Sequence, residues 1–355
     1  MNKQQLLNSF LELVQLDSPS GEEDNICDFL IDKLKSLGLS PMTDLYGNVY
    51  VRVEGTGSPI LLSAHVDTVE PGRGIVPVVQ KGVISSTGQT ILGADNKVGV
   101  AIILAILHNI VKEKIATRTL EVIFTRSEEV GNYGAVNLDY SLLTSQFGYI
   151  FDNSNPIGTI ITAAPFYNRF DITIVGKSVH ASKPERGIHA LSIAVEALKN
   201  IKLGKVDPIT TVNIGAVAGG HVRNTIMGEM IFRGEVRSFK EENLIKATEG
   251  VTSAFQSAVD SFGATITINV VRENGGYHYS PQDKDILQIQ EVMRKSGIQP
   301  ELKEDWGCSD ANIFIDHGIK IINLGDGTID THTTSERVKL VDMLKLEKIV
   351  LDLIQ

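Results

Sequence analysis

The stretch LLSAHVDT, residues 61–68, is the part of the sequence around which the rest of the chain is organised. An apolar run ends there in a histidine and an aspartate, and residues two apart on a strand project from the same face. His65 and Asp67 can therefore lie together at the end of a strand, one as a metal ligand and the other as its support. A lone His-x-Asp pair also occurs in ordinary cores, so the pattern gains weight only if neighbouring strands end in further ligands.

Length, composition and charge narrow the class of protein. A chain of 355 residues is long for a single core, so we expect two domains. The net charge of −10 and the lack of a basic block argue against a nucleic-acid partner. Two cysteines, Cys27 and Cys308, are too few for a disulfide framework and fit the reducing cytoplasm. The longest apolar run, residues 98–107, is too short to span a bilayer and predicts a buried helix with no membrane partner.

Strand-like and helix-like segments alternate in residues 1–163 and again in residues 277–355. This alternation predicts one α/β domain with a mixed, largely parallel sheet flanked by helices. Ser20 and Glu23 have the spacing of a capping box that opens a helix running to about Leu37. A long C-terminal helix is expected from about Ser335.

Residues 164–276 have a different pattern. Their segments read strand, helix, strand, strand, helix, strand, which is the order of a ferredoxin-like α+β domain. Because the alternating pattern resumes afterwards, we expect this domain to be inserted into the first one.

Several candidate ligands follow predicted strands or turns of the first domain. They are His65, Asp95, Glu128, Glu129, Asp152 and His332. In an open α/β sheet the carboxyl ends of the strands form the binding edge. Imidazoles and carboxylates suit zinc or a similar divalent ion, and there are enough of them for two ions that share a carboxylate. The adjacent Glu128 and Glu129 point in different directions, so one is expected to bind metal and the other to act as a general base.

Each of these signals also has an ordinary structural explanation. Consecutive glutamates usually form a solvated surface, Asp95 alone could be a helix N-cap, and Asp152 could belong to a turn. Spacing alone leaves the metal site and these structural roles both open.

Five motifs, SAHVDT, GADNK, SEEVG, FDNS and THTTSE, occur in this order. Together they resemble the co-catalytic zinc peptidase family of peptidase T, carboxypeptidase G and aminoacylase, and most closely its peptidase T-like members. The resemblance covers nearly the whole chain. It implies two divalent metal ions, zinc first, with cobalt or manganese as alternatives. It also implies that residues 164–276 form a lid and dimerisation domain.

The resemblance assigns roles to individual residues. The implied metal ligands are His65, Asp95 as the bridge, Glu129, Asp152 and His332. Asp67 would orient the imidazole of His65, and Glu128 would be the general base that carries a proton from water to the leaving amine. Which histidine shares a metal with which carboxylate stays open.

The inserted domain carries three further residues of the family pattern. His180, in the segment GKSVHAS, would stabilise the oxyanion, either in its own subunit or across a dimer. Asn224 and Arg237 would hold a carboxylate or carbonyl of the substrate.

These residues predict an enzyme that cleaves an amide bond in small peptides, of the aminopeptidase, tripeptidase or dipeptidase type. An N-acyl amino acid deacylase or desuccinylase, or a carboxypeptidase, is the alternative with the same chemistry. A catalytically inactive metal- or peptide-binding protein is the alternative from another class. We further expect a cytoplasmic homodimer that pairs through the inserted domain.

Overall fold

A computed structural model describes residues 2–355. The helices are α1 (Lys3–Val14), α2 (Asp24–Ser36), α3 (Ala94–Glu113), α4 (Tyr133–Val136), α5 (Ala190–Leu198), α6 (Glu241–Phe262), α7 (Lys284–Lys295), α8 (Asp310–Asp316) and α9 (Leu340–Leu353). The strands are β1 (Met42–Thr43), β2 (Val49–Val53), β3 (Thr56–His65), β4 (Pro77–Gln80), β5 (Val83–Ser86), β6 (Arg118–Thr125), β7 (Phe147–Ile150), β8 (Thr159–Ala164), β9 (Phe166–Val175), β10 (Gly204–Asp207), β11 (Thr210–Gly219), β12 (Glu229–Ser238), β13 (Thr265–Asn274), β14 (Tyr277–His278), β15 (Glu301–Glu304), β16 (Lys320–Leu324) and β17 (Arg337–Lys339).

The chain divides into two compact units. Unit 1 comprises the residues up to Thr162 together with Tyr279–Gln355, and unit 2 comprises Ala163–His278. The main sheet has the order β1-β2-β6-β3-β7-β16-β8-β14, with β15 beside β8. The pairs β6/β3, β3/β7 and β7/β16 are parallel, whereas β1/β2, β2/β6, β16/β8 and β8/β14 are antiparallel. The sheet is therefore mixed, and its parallel part is confined to the four central strands.

Helix α3 explains the long apolar run of the sequence. It is long and apolar enough to cross a membrane by length and composition alone, but it is largely buried inside the protein. It packs against β3 and is itself covered by α1 and α9. Its hydrophobic residues are part of the core of unit 1.

Two local predictions about unit 1 are wrong. Ser20 and Glu23 do not form a capping box, because α2 begins at Asp24 without a side-chain cap and both side chains bond elsewhere. The C-terminal helix begins at Leu340 rather than near Ser335, because Arg337–Lys339 forms β17, which pairs with β5. In each case partners far along the chain outweigh the local pattern.

Unit 2 has an antiparallel five-stranded sheet in the order β10-β11-β12-β9-β13. Helices α5 and α6 pack together against it. The order of β11, β12, β9 and β13 with these helices is that of a ferredoxin-like fold. Strand β10, which the sequence pattern did not predict, pairs with only the first residues of β11, Thr210 to Val212.

Candidate active site

The site residues of unit 1 lie where the central parallel strands end. Strand β3 ends at His65, β6 ends three residues before Glu128, and β7 ends two residues before Asp152. Because these strands are parallel neighbours, their carboxyl ends share one edge of the sheet. Asn323 of β16 fixes the backbone of Asp152, since its side chain accepts from the Asp152 N–H and donates to the Asp152 carbonyl.

Asp95 lies between the two predicted histidine ligands. Its Oδ1 is 3.3 Å from Nε2 of His65, and its Oδ2 is 3.3 Å from Nε2 of His332. Asp95 is in the first turn of α3, but its backbone (φ −79°, ψ 111°) is not helical. A carboxylate with each oxygen facing a different imidazole has the arrangement required to bridge two cations.

The remaining ligand candidates divide between the two sides of Asp95. On one side, Nε2 of His65 is 3.7 Å from Oδ1 of Asp152. On the other, Nε2 of His332 is 3.0 Å from Oε1 of Glu129. Three groups of side chains could each hold an ion: His65 with Asp95 and Asp152, Asp95 with Glu129 and His332, and His65 with Glu128 and Glu129. The first two groups share Asp95 and form the two candidate ligand sets.

These two sets fit divalent ions by the chemistry of their donors. Each offers one imidazole nitrogen and two carboxylates, a combination typical of zinc, cobalt or manganese sites. The ligand atoms of each set lie within 4.8 Å of one another, close enough to surround a single ion.

Asp67 orients His65 and holds the backbone of Glu128 and Glu129. Its Oδ1 is 3.3 Å from Nδ1 of His65, so the imidazole presents Nε2 to the site. The same carboxylate accepts hydrogen bonds from the backbone N–H groups of Glu128 and Glu129 and from the hydroxyl of Ser20. Asp67 is completely buried and therefore ties the ends of β3 and β6 together.

The carboxylate of Glu128 lies beside the ligand sets, and its environment is unusual. Burial, followed by the negative charge of Asp152, raises the pKa of Glu128 well above its ordinary value. Nδ2 of Asn132 donates to its Oε1 at 2.8 Å. A glutamate with a raised pKa can hold a proton and release it again, which a general base and acid must do.

The pKa values of several candidate ligand residues are shifted from their ordinary values. Burial raises the pKa of Asp152 and of Glu129. Burial alone would lower the pKa of His65, but Asp152, Asp67 and Asp95 together raise it well above its ordinary value. Hydrogen bonds to Asp95 and Glu129 raise the pKa of His332 to about 10. The carboxylates therefore attract positive charge, and metal ions would compete with protons for the same groups.

Two networks around the site were not predicted. Glu336 is buried and accepts hydrogen bonds from the backbone N–H groups of Leu92, Gly93 and Asp95. It belongs to the motif THTTSE, but no local signal shows that it would hold a turn 241 residues earlier. Asp310, for which the sequence analysis predicted no role, accepts hydrogen bonds from Thr125 and Asn132. Burial raises the pKa of Asp310 to about 6.

Within unit 2, His180 and Asn224 lie on adjacent loops. The two loops are joined by a hydrogen bond from the Ala181 N–H to the Asn224 carbonyl and by a bridge between His180 and Thr225. Both His180 and Asn224 are exposed. The imidazole Nδ1 of His180 lies 2.8 Å from the hydroxyl of Ser182.

Arg237 is not part of this pair of loops. It lies near the far end of β12, eight residues beyond Glu229, which is roughly 26 Å at about 3.3 Å per residue. Its guanidinium stacks 4.4 Å above the ring of Tyr167 and bonds to Glu235. The structure therefore separates Arg237 from His180 and Asn224 within one subunit.

The mixed sheet and the acidic and imidazole groups at its edge define a metal-binding α/β enzyme. The chain belongs to the Peptidase family M20/M25/M40, whose pattern residues 61–355 match. This confirms the resemblance to peptidase T-like members. The family binds two metal ions, in agreement with the two ligand sets.

Individual relatives match along the full chain. A tripeptidase from Staphylococcus aureus is 35% identical, with a TM-score of 0.95, over 100% of this chain and 98% of its own. The aminopeptidase PepT of Bacillus cereus is 32% identical, with a TM-score of 0.92 and the same coverage. Peptidase T of Bacillus subtilis is 23% identical over 99% of this chain and 98% of its own. These similarities support a metallopeptidase that hydrolyses peptides.

Proposed function

We propose that the protein is a dinuclear metal-dependent exopeptidase that removes residues from small peptides, as an aminopeptidase or tripeptidase. The observation that carries the proposal is the position of Asp95, whose two carboxylate oxygens face His65 and His332 separately. His65, Asp95 and Asp152 would hold one ion, and Asp95, Glu129 and His332 the other. When bound, the two ions would polarise the scissile carbonyl and lower the pKa of the attacking water.

The residues of the chain supply the rest of the reaction. Glu128 takes the proton from the attacking water and passes it to the nitrogen of the leaving amine, since its carboxylate lies within 4.8 Å of candidate ligand atoms of His65 and Glu129. Asp67 keeps the imidazole of His65 in one orientation and holds the backbone of Glu128. His180 would donate to the developing oxyanion, and Asn224 and Arg237 would bind polar groups of the substrate.

The homodimer is also part of the proposal. Asn224 lies in the loop that precedes β12, whereas Arg237 is near the other end of that strand, roughly 26 Å from Glu229 at about 3.3 Å per residue. We propose that Arg237 and Asn224 of one subunit contact different substrate molecules. If both contribute to one site, two subunits must supply them. Strand β11 offers an edge for such pairing, because its partner β10 covers it only as far as Val212 among the described residues. We propose a cytoplasmic location, which is consistent with two free cysteines.

The test is a panel of purified variants and substrates. Glu128→Gln should retain two metal ions per chain and lose essentially all turnover, because an amide cannot accept the proton. Removal of metal by a chelator should abolish hydrolysis, and zinc, cobalt or manganese should restore it. Turnover by Glu128→Gln at the wild-type rate, or by metal-free protein, would refute the mechanism.

The substrate panel separates the peptidase from its alternatives. Tripeptides and dipeptides with free or blocked ends should be compared with N-acyl amino acids. Preference for peptides with a free amino terminus supports the proposal. Preference for N-acyl amino acids would identify a deacylase instead.

A further inference from the structure

Asn132 occupies an unusual position next to the proposed general base. It precedes helix α4 in the left-handed conformation, with φ 55° and ψ 29°, and it is 9% exposed. Asparagine is one of the few residues with a side chain that tolerates this conformation. At the N-cap its side chain would ordinarily accept a hydrogen bond from the helix backbone, but here it makes no such bond. The amide is therefore used for something other than capping.

The amide of Asn132 connects the partly buried carboxylate of Glu128 to the buried carboxylate of Asp310. Its Nδ2 donates to Oε1 of Glu128 at 2.8 Å and to Oδ1 of Asp310 at 3.1 Å. Only the nitrogen of the amide can face two carboxylate oxygens, so both of its hydrogens are committed. This fixes which way the amide points.

Asp310 is itself held from the other side. Its Oδ2 accepts a hydrogen bond from the hydroxyl of Thr125 at 2.6 Å, and Thr125 is the last residue of β6. The strand that leads to Glu128 is thus linked through Asp310 and Asn132 back to the carboxylate of Glu128. All four side chains belong to unit 1.

We infer that Asn132 is a positioning residue for Glu128, which it holds by Oε1 so that Oε2 is left to accept and release the proton. The inference depends on the proposed role of Glu128 and adds to it the choice of oxygen and the residue that makes the choice. Asp310 and Thr125 fix the amide of Asn132 in turn. Without this donor the carboxylate of Glu128 can rotate, and either oxygen can turn away from the attacking water.

The test is the variant Asn132→Gly. Glycine adopts the left-handed conformation without strain, so the substitution removes the amide and retains the backbone. We expect kcat to fall about ten- to hundredfold, the loss expected for one hydrogen bond to a charged group, with KM within about twofold of wild type. Metal content should stay at the wild-type value. Asn137→Gly is the matched control, because Asn137 follows the same helix and its exposed amide donates to the Tyr133 carbonyl, away from Glu128 and Asp310.

Asn132→Asp is a second variant that keeps the size of the side chain and tolerates the same backbone. It removes the donor and places a third carboxylate against Glu128 and Asp310, so its loss of kcat should be at least as large. If Asn132→Gly fails to fold, Asn132→Asp decides the question. Wild-type kcat in the variant that folds would overturn the inference, and so would a loss of kcat that follows a loss of bound metal.

Glu128→Gln, assayed in the same series, distinguishes this inference from the proposed function. If Glu128→Gln is inactive and Asn132→Gly is fully active, only the positioning role is wrong. If Glu128→Gln is active, the proposed function is wrong and the inference falls with it.

Discussion

Glu336 offers a prediction whose size can be worked out from its contacts. Its Oε2 accepts from the N–H groups of Leu92 and Gly93, each at 2.7 Å, and its Oε1 accepts from the N–H of Asp95 at 3.0 Å. One buried carboxylate thus holds the turn that carries Asp95, the aspartate proposed to bridge the two ions. Substitution by glutamine preserves the shape of the side chain but leaves only one oxygen.

The magnitude follows from the number of bonds lost in Glu336→Gln. In the better of its two orientations, the glutamine oxygen keeps the bonds to Leu92 and Gly93, and its amide nitrogen then faces the N–H of Asp95. At least one hydrogen bond to a charged group is lost, which costs about 1.5–3 kcal/mol. Burial raises the pKa of Glu336, so removing its charge offsets part of this cost. We therefore expect the free energy of unfolding to fall by about 2 kcal/mol.

Metal binding should weaken as well. The Asp95 backbone loses its anchor, and removing a group that orients a ligand typically reduces metal affinity about ten- to hundredfold. Glu336→Ala should lower the stability further, because it removes the acceptor for three N–H groups, and each of the two buried ones, of Leu92 and Gly93, costs about 1–3 kcal/mol when left without a partner.

The assay is urea denaturation of metal-free protein, in which unfolding is monitored by the fluorescence of the single tryptophan, Trp306, in unit 1. Metal affinity is measured separately by titration with zinc in a competing chelator. Glu301→Gln is the matched control in unit 1, because Glu301 is exposed, and it should change stability by less than about 0.5 kcal/mol. Wild-type stability together with wild-type zinc affinity in Glu336→Gln would refute the role assigned to its carboxylate.

Three further predictions concern Asp67, His332 and Cys27. Asp67→Asn should lower kcat and reduce metal affinity about ten- to hundredfold, because the amide disturbs the orientation of His65; wild-type values in kinetics and zinc titration would contradict this. In metal-free protein the pKa of His332 is raised to about 10, so its stabilising contribution is complete below about pH 6.5 and disappears as the pH rises through 10. Urea denaturation of metal-free protein at pH 7 and pH 10 should therefore show a smaller loss of stability in His332→Gln than in wild type. Burial raises the pKa of the Cys27 thiol to about 12, so mass spectrometry should find it unmodified by iodoacetamide at pH 8 in native protein and modified after unfolding.

Several candidate ligands could be placed at one edge of the sheet from the sequence, because they lie at or near the ends of strands with clear sequence patterns. His65 is the last residue of the apolar strand β3 and Asp152 follows β7 by two residues, and parallel neighbours bring such positions to one edge. The partners that hold these groups have no comparable signal. Asn132 contacts Asp310 across 178 residues, and Glu336 contacts the Asp95 turn across 241.

The same cause explains the incorrect capping box at Ser20 and Glu23. Both residues have suitable chemistry for local capping, and the spacing fits. In the structure the Ser20 hydroxyl donates to Asp67, and Glu23 accepts from Ser127. Asp67 and Ser127 are buried, and a buried polar group without a hydrogen bond costs more free energy than a solvent-exposed helix end does. Local spacing shows what a side chain can bond to, whereas the fold decides which partner is present.

The link between Glu336 and the Asp95 turn has a consequence for the order of synthesis. During synthesis, His332 and Glu336 are added to the chain more than 230 residues after the Asp95 turn. Until then the turn at Asp95 lacks its carboxylate anchor, and one of the ligand sets lacks its imidazole. A nascent or truncated chain that lacks these two residues therefore cannot assemble the complete candidate site, and the proposed hydrolytic activity can arise only after both have been added.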